Sequence, residues 1–276
     1  MAAVSVDPAG PALRLEPAGP AAGSGPGGSM ITMSGGVIAI FVKTPGLSAV
    51  KSRLAGEIGA EKALAFYRQA VRATAETVHG FLAAHPHWQA RFVVAERAGC
   101  GNPLWRDFPA RYSGGGNLAQ RLHRVLQALV TVHGRALMIG VDSPQITRAD
   151  LEAAAAALHR RDWVIGPAAD GGFWCLGSRI VLPPAVWQAA PFDRHHDGGS
   201  GRVREALITA AARAGIPAPA LLRTLHDVDH ADDLEAVEAE WPETARQTAA
   251  QRALRLWMKA VLHGEDHPAR RPSPVD

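Results

Sequence analysis

Short, wholly apolar runs alternate along this chain with stretches of helical spacing, and that alternation decides the fold class. Val37-Ile38-Ala39-Ile40-Phe41-Val42 and the run from Ala136 to Val141 lack the polar/apolar alternation of a half-exposed strand. They read as strands covered on both faces. Further strands are predicted at Arg91 to Ala95, Trp163 to Gly166, Phe173 to Leu176 and Leu221 to Leu225. Helices are predicted over Ala60 to Ala83, with Leu64, Tyr67, Val71, Ala75, Val78 and Leu82 on one side, and over Asn117 to Val132. Thr147 to His159 follows, with Thr147 as N-cap and Asp150 at the capping-box position. Gly201 to Ala214 and the pair Ala231 to Trp241 and Glu243 to Leu262, divided by Pro242, complete the set. Strands separated by helices of about ten or more residues imply a three-layer α/β/α arrangement with a mostly parallel central sheet.

The flanks differ. Residues 1–36 are nearly all Ala, Gly, Pro and Ser, with Asp7, Arg14 and Glu16 as the only charges, and a disordered extension is expected there. Met30 and Met33, just ahead of the first strand, are candidates for the natural start. Residues 37–262 are expected to form one domain, and 263–276 a loose tail.

Composition narrows the function. The chain has 276 residues, 47% of them hydrophobic, which suffices for a core without crosslinks. Its two cysteines, Cys100 and Cys175, exclude a disulfide framework and argue against a Cys-rich zinc site, so a cytoplasmic location is expected. No run approaches the roughly 20 apolar residues of a membrane span. The net charge of +3 comes from dispersed basic residues, with Arg270 and Arg271 at one end, and fits a small anionic ligand rather than a nucleic acid.

In open α/β sheets ligands sit beyond the carboxyl ends of the strands, and five segments there carry chemistry. After the first strand, Lys43-Thr44-Pro45-Gly46 leads to Val50-Lys51-Ser52-Arg53-Leu54, delivering Lys43, Lys51 and Arg53 near a helix start, as a phosphate chain requires. The Walker spacing is absent, and a solvated surface loop is the competing reading. Gly114-Gly115-Gly116-Asn117-Leu118-Ala119-Gln120-Arg121 opens glycines into a helix N-terminus, which suits a ligand or a plain connector capped by Asn117. Gly140-Val141-Asp142-Ser143-Pro144 ends the most apolar strand, and a carboxylate there needs a partner. Mg²⁺ or Mn²⁺ would supply one; backbone N–H groups in a turn are the alternative. Asp227-Val228-Asp229 follows the last strand, with both carboxylates on one face and Val228 inward, so either Asp is a candidate second ligand. His226 and His230 read as hydrogen-bonded neighbours, and Asp232 and Asp233 as first-turn acids. Asp170-Gly171-Gly172 offers a carboxylate on a close-approach backbone, or an Asp-Gly hairpin turn. His195-His196-Asp197, among glycines, reads as a mobile loop rather than a metal tract.

Taken together, these motifs in this order resemble the radical-SAM/selenodomain-associated transferases, over roughly residues 37–240. The resemblance implies a GT-A/Rossmann-like fold and a metal-dependent glycosyltransferase with a nucleotide-sugar donor and a small-molecule acceptor. It implies Lys43, Lys51 and Arg53 near the diphosphate, Gly116, Asn117 and Arg121 near the nucleoside, and Asp142 and Asp229 on Mg²⁺ or Mn²⁺. Asp170, Gly171 and Gly172 would face the sugar or acceptor, with Asp142 and Asp170 as catalytic residues. The Lys-Ser-Arg segment and the strand-end Asp are also similar to phospholactate guanylyltransferases, which implies nucleotidyl transfer from an NTP with pyrophosphate release as the alternative. The chain departs from the family at Ser48, Ser52, Asn117-Leu118-Ala119 and Gly198-Gly199-Ser200-Gly201.

Overall fold

The computed structural model describes residues 35–192 and 202–263. The predicted N-terminal extension up to residue 34, Met30 and Met33, the His195-His196-Asp197 tract, Gly198 to Gly201, and the tail with Arg270 and Arg271 lie outside them.

Among the described residues seven strands form one sheet: β1 (Gly36–Val42), β2 (Trp88–Val94), β3 (Ala110–Tyr112), β4 (Ala136–Ile139), β5 (Trp163–Pro167), β6 (Phe173–Ser178) and β7 (Ala220–Leu221). Their order is β3-β2-β1-β4-β6-β5-β7. The β3-β2-β1-β4 half is parallel, β6 runs antiparallel to both β4 and β5, and β7 is parallel to β5. This is the expected α/β fold with a mostly parallel sheet. Its helices are α1 (Ser52–Ile58), α2 (Ala60–Ala84), α3 (Leu118–His133), α4 (Arg148–Ala157), α5 (Pro184–Gln188), α6 (Val203–Arg213), α7 (Asp233–Ala239) and α8 (Ala249–Leu262). No helix among the described residues is long and apolar enough to cross a membrane.

The continuous apolar reading of β1 has a direct cause. Ile38, Ile40 and Val42 pack with Val71 and Val78 of α2 and Leu151 of α4, whereas Val37 and Ala39 pack with Leu126 and Leu129 of α3. Both faces are dry, so neither can carry a polar residue. A third cluster joins Leu54 of α1, Phe66 of α2, Leu234 and Val237 of α7, and Leu254 and Met258 of α8. It fixes the segment that bears Asp229 against α1. Each such fully buried side chain contributes about 1.5–3 kcal/mol.

Two expectations are corrected. The strand expected over Leu221 to Leu225 is only the two-residue β7 plus an isolated bridge between Ala168 and Leu225. As a sheet-edge segment it peels away after Leu222 and rejoins where the Leu225 amide bonds to Pro167 O at 3.0 Å. The helix expected from Glu243 begins at Ala249, because Thr248 caps it reciprocally with Gln251, and a separate 3-10 turn covers Thr244–Arg246. Helix α1, strand β3 and helix α5 are additions, each too short to show a period. The reciprocal cap of Thr147 with Asp150 is present as predicted.

Candidate active site

The carboxyl ends of β1, β2 and β4 and the β5–β6 turn surround a cavity of about 720 Å³. Its lining includes Lys43, Lys51, Arg53, Arg121, Asp142, Asp170, Gly172, Asp227 and Asp229. Gly116, Asn117 and Gly171 stand back from it, in structural roles. Asn117 caps α3 in a reciprocal box with Gln120, behind Gly116 at φ 96°. Gly171 takes φ 90° in the turn that reverses β5 into β6. Asp-Gly therefore does form the hairpin turn. Asp170 Oδ1 accepts the Gly172 N–H at 2.8 Å, leaving its other oxygen at the exposed edge.

The loop after β1 is built by local turns and one distant acid. Leu47 and Ser48 amides return to Thr44 O at 3.0 and 3.1 Å, and the Thr44 amide donates to Glu96 Oε2 at 2.8 Å. Lys43 is held by its backbone: its N–H donates to the Tyr67 hydroxyl at 2.8 Å, and that hydroxyl donates to Lys43 O at 2.7 Å. Burial pushes the Tyr67 phenol up, so it stays protonated and bridges β1 to α2. The Lys43 ammonium remains exposed at the cavity.

At its far end the loop turns Lys51 inward. Lys51 is the non-glycine residue at positive φ among the described residues, with φ 49° at the N-cap of α1. Its side chain is 3% exposed. The ammonium pairs with Asp142 Oδ1, donates to Val228 O at 2.5 Å and lies 3.3 Å from Asp229 Oδ1. Its donors are therefore committed to protein acceptors, and the freer cations at the cavity are Lys43, Arg53 and Arg121. Burial alone would lower the Lys51 pKa, but Asp142 and then Asp229 outweigh it, and the ammonium is held above the ordinary lysine value. Arg53, 47% exposed, reaches Asp229 Oδ2 at 3.2 Å.

The two acidic loops touch directly, since the Val228 amide donates to Asp142 O at 2.9 Å. Val228 is fully buried, and Asp227 and Asp229 face the cavity on either side of it. Asp227 is pushed up to about 7 by burial and by Asp170, Asp229 and Asp142, with Lys51 opposing. His230 pairs with Glu57 of α1 at 2.7 Å, and Asp233 accepts the Asp229 and His230 amides at 2.8 and 2.6 Å.

These donors suit a hard divalent cation, because they are all carboxylate oxygens, and Asp227 is pushed up by burial and its acidic neighbours despite Lys51. No group of three or more His, Cys, Asp or Glu side chains among the described residues forms a ready metal cage. Asp142 and Asp229 could supply the one or two carboxylates that an ion such as Mg²⁺ takes beside water and substrate phosphates. Tyr67, Glu96 and Asp227 carry parts of this geometry. Tyr67 sat in the apolar helical stripe and Glu96 in no motif, so neither could be singled out from sequence.

Residues 69–194 match a family described as uncharacterized proteins conserved in bacteria (DUF2064). No curated protein sequence matches the chain. Among solved structures, the fold is shared with a protein of Desulfovibrio desulfuricans G20 provisionally named a nucleotide-diphospho-sugar transferase. The identity is 23% and the TM-score 0.67, over 84% of this chain and 98% of that one. A 4-diphosphocytidyl-2C-methyl-D-erythritol synthase from Anaerococcus prevotii gives 12% identity and a TM-score of 0.43, over 83% and 99%. A manganese complex of Rv0371C from Mycobacterium tuberculosis H37Rv gives 14% and 0.38, over 73% and 97%.

Proposed function

We propose that the chain is a metal-dependent glycosyltransferase of the cytoplasm that uses a nucleotide-sugar donor and a small-molecule acceptor. One observation carries this reading: Asp142 and Asp229, from separate strand-end loops, meet at a single ammonium on the floor of a cavity also lined by Lys43, Arg53 and Arg121. Asp142 and Asp229 would hold Mg²⁺ or Mn²⁺, which supplies Lewis-acid stabilisation to a departing nucleoside diphosphate. Lys43, Arg53 and Arg121 neutralise the phosphates and favour the charge that builds as the glycosidic bond breaks. Lys51 keeps the two carboxylates in place rather than gripping the ligand. Gly116 and Asn117 shape the approach to the nucleoside. Asp170, on the hairpin turn, accepts the proton of the attacking hydroxyl, while Gly171 and Gly172 let the acceptor come close.

The engagement of Asp170 Oδ1 by the Gly172 amide favours a second reading, nucleotidyl transfer to a small phosphorylated substrate. A phosphate nucleophile needs no base, so Asp170 would only orient it. Product analysis with a panel of nucleotide sugars, NTPs and Mn²⁺ separates the two. Nucleoside diphosphate release supports the first reading and pyrophosphate release the second. Absence of both, with no ligand shifting the melting temperature, would refute the site.

A further inference from the structure

Outside the cavity lining, one side chain touches the roots of both acidic loops. Glu240 follows α7 as its C-cap. Its Oε2 accepts the His226 amide at 2.9 Å and the Gln145 side-chain amide at 3.0 Å, and its Oε1 lies 2.6 Å from His226 Nδ1. Gln145 is fully buried and also donates to His226 O at 2.7 Å. Gln145 stands three residues beyond Asp142, and His226 three residues before Asp229. One carboxylate therefore ties together the roots of both loops.

The anchor is itself braced. Leu234 and Val237 bury α7 in the third cluster, and Glu238 pairs with Arg255 and Lys259 of α8, each at 3.0 Å. Helix α8 packs on α2 in the same cluster, so Glu240 extends from a rigid platform. A buried amide such as that of Gln145 is costly to leave without an acceptor, which drives the closed arrangement.

We infer that Glu240 is a positioning residue: acting through His226 and Gln145, it locks the loop of Asp227 and Asp229 onto the loop of Asp142, so that both metal-binding carboxylates reach one cation. The clamp is a matter of loop docking; its purpose rests on the function proposed above.

The test uses the full chain with Glu240→Ala and Glu240→Gln, reading amide hydrogen exchange at Val228 and Mn²⁺ binding by electron paramagnetic resonance. Loss of the hydrogen bonds to Glu240 should cost Val228 about ten- to a hundredfold in protection, with the amides of β4 unchanged. Mn²⁺ should bind about tenfold more weakly, as for other residues that orient metal ligands. Glu240→Gln should restore both, because its amide oxygen accepts from the His226 and Gln145 donors and its NH₂ donates to His226 Nδ1. Val228 protection unchanged in Glu240→Ala, or lost only in step with β4, overturns the inference. Failure of Gln to rescue overturns it as well, since simple charge removal would then be the cause. If the unsubstituted protein binds no Mn²⁺, the functional reading falls, and the exchange result still decides the clamp. Should Glu240→Ala not fold, Gln145→Leu removes the other arm, and the same loss at Val228 is required.

Discussion

Replacing Lys51 by Met keeps the aliphatic stem against Phe66, whose ring centroid lies 6.0 Å from the ammonium, and removes only the charge. The sign of the effect follows from the raised Lys51 pKa: its charged form is more stable in the fold than in the unfolded chain. That contribution is fully present below the ordinary lysine value of 10.5, and so at pH 7, and is lost as pH rises through the folded value. Removing one partner of a fully buried pair costs about 3–5 kcal/mol. Here Asp142 and Asp229 are 50% and 34% exposed, and water takes up part of the loss. The Val228 carbonyl loses its ammonium partner, at about 1–3 kcal/mol. We expect Lys51→Met to destabilise by about 2–4 kcal/mol. Urea unfolding at pH 7 measures this, and repetition above the ordinary lysine value of 10.5 tests the cause, because the parent then starts to lose the charge that the variant lacks. The deficit should shrink as pH rises through the folded Lys51 value and also on adding Mn²⁺. A variant as stable as the parent at pH 7, or a deficit indifferent to pH, would refute the reasoning.

Asp142→Asn should abolish Mn²⁺-dependent stabilisation by nucleoside diphosphates in a thermal-shift assay while circular dichroism stays unchanged. Arg53→Ala should weaken diphosphate ligands about tenfold and free nucleosides little, as expected for loss of one charge-assisted contact of about 1.5–3 kcal/mol; calorimetry with both ligand types checks it. Asp150→Ala removes the side-chain arm it contributes to the cap of α4 and the bidentate contacts to Arg223 at 2.5 and 2.7 Å, so chemical denaturation should show a loss of about 2–3 kcal/mol. Burial would raise the Asp150 pKa, but Arg223 and Thr147 outweigh it and hold the carboxyl below its ordinary value. This contribution is present above the ordinary carboxyl range and is lost as pH falls through the depressed value, so the variant and parent should converge in strong acid. Gly177→Ala places a Cβ 2.4 Å from Leu137 Cδ2 and 2.7 Å from Val164 Cγ1, inside the sheet, and should lower stability by about 1–3 kcal/mol by the same assay.

The α/β character was legible because β1 and β4 are dry on both faces and α2 and α3 are apolar on one side, patterns that need no tertiary information. The caps at Asn117 and Thr147 were legible for the same reason, being local hydrogen-bond chemistry. Strand β3 was not: three residues between Pro109 and a glycine run show no period, and only pairing with β2 makes Ala110–Tyr112 a strand. At the site, the strand-end rule located Asp142, Asp170 and Asp229. The inward turn of Lys51 was beyond reach, because its left-handed backbone is held by Asp142, Asp229 and Val228, all distant in sequence. Tyr67 and Glu240 escaped for a related reason: each sits in an ordinary helical stretch and acts through a backbone or a loop that only folding brings near.

Strand β6, alone in running against its neighbours, has an architectural consequence. A crossover between parallel strands must carry a helix across the sheet, so altering it disturbs packing on a whole layer. The β5–β6 reversal needs only the few residues from Ala168 to Gly172, which begin and end at the same margin of the sheet. Insertions or replacements there reshape the rim of the cavity without rerouting a helix across the sheet.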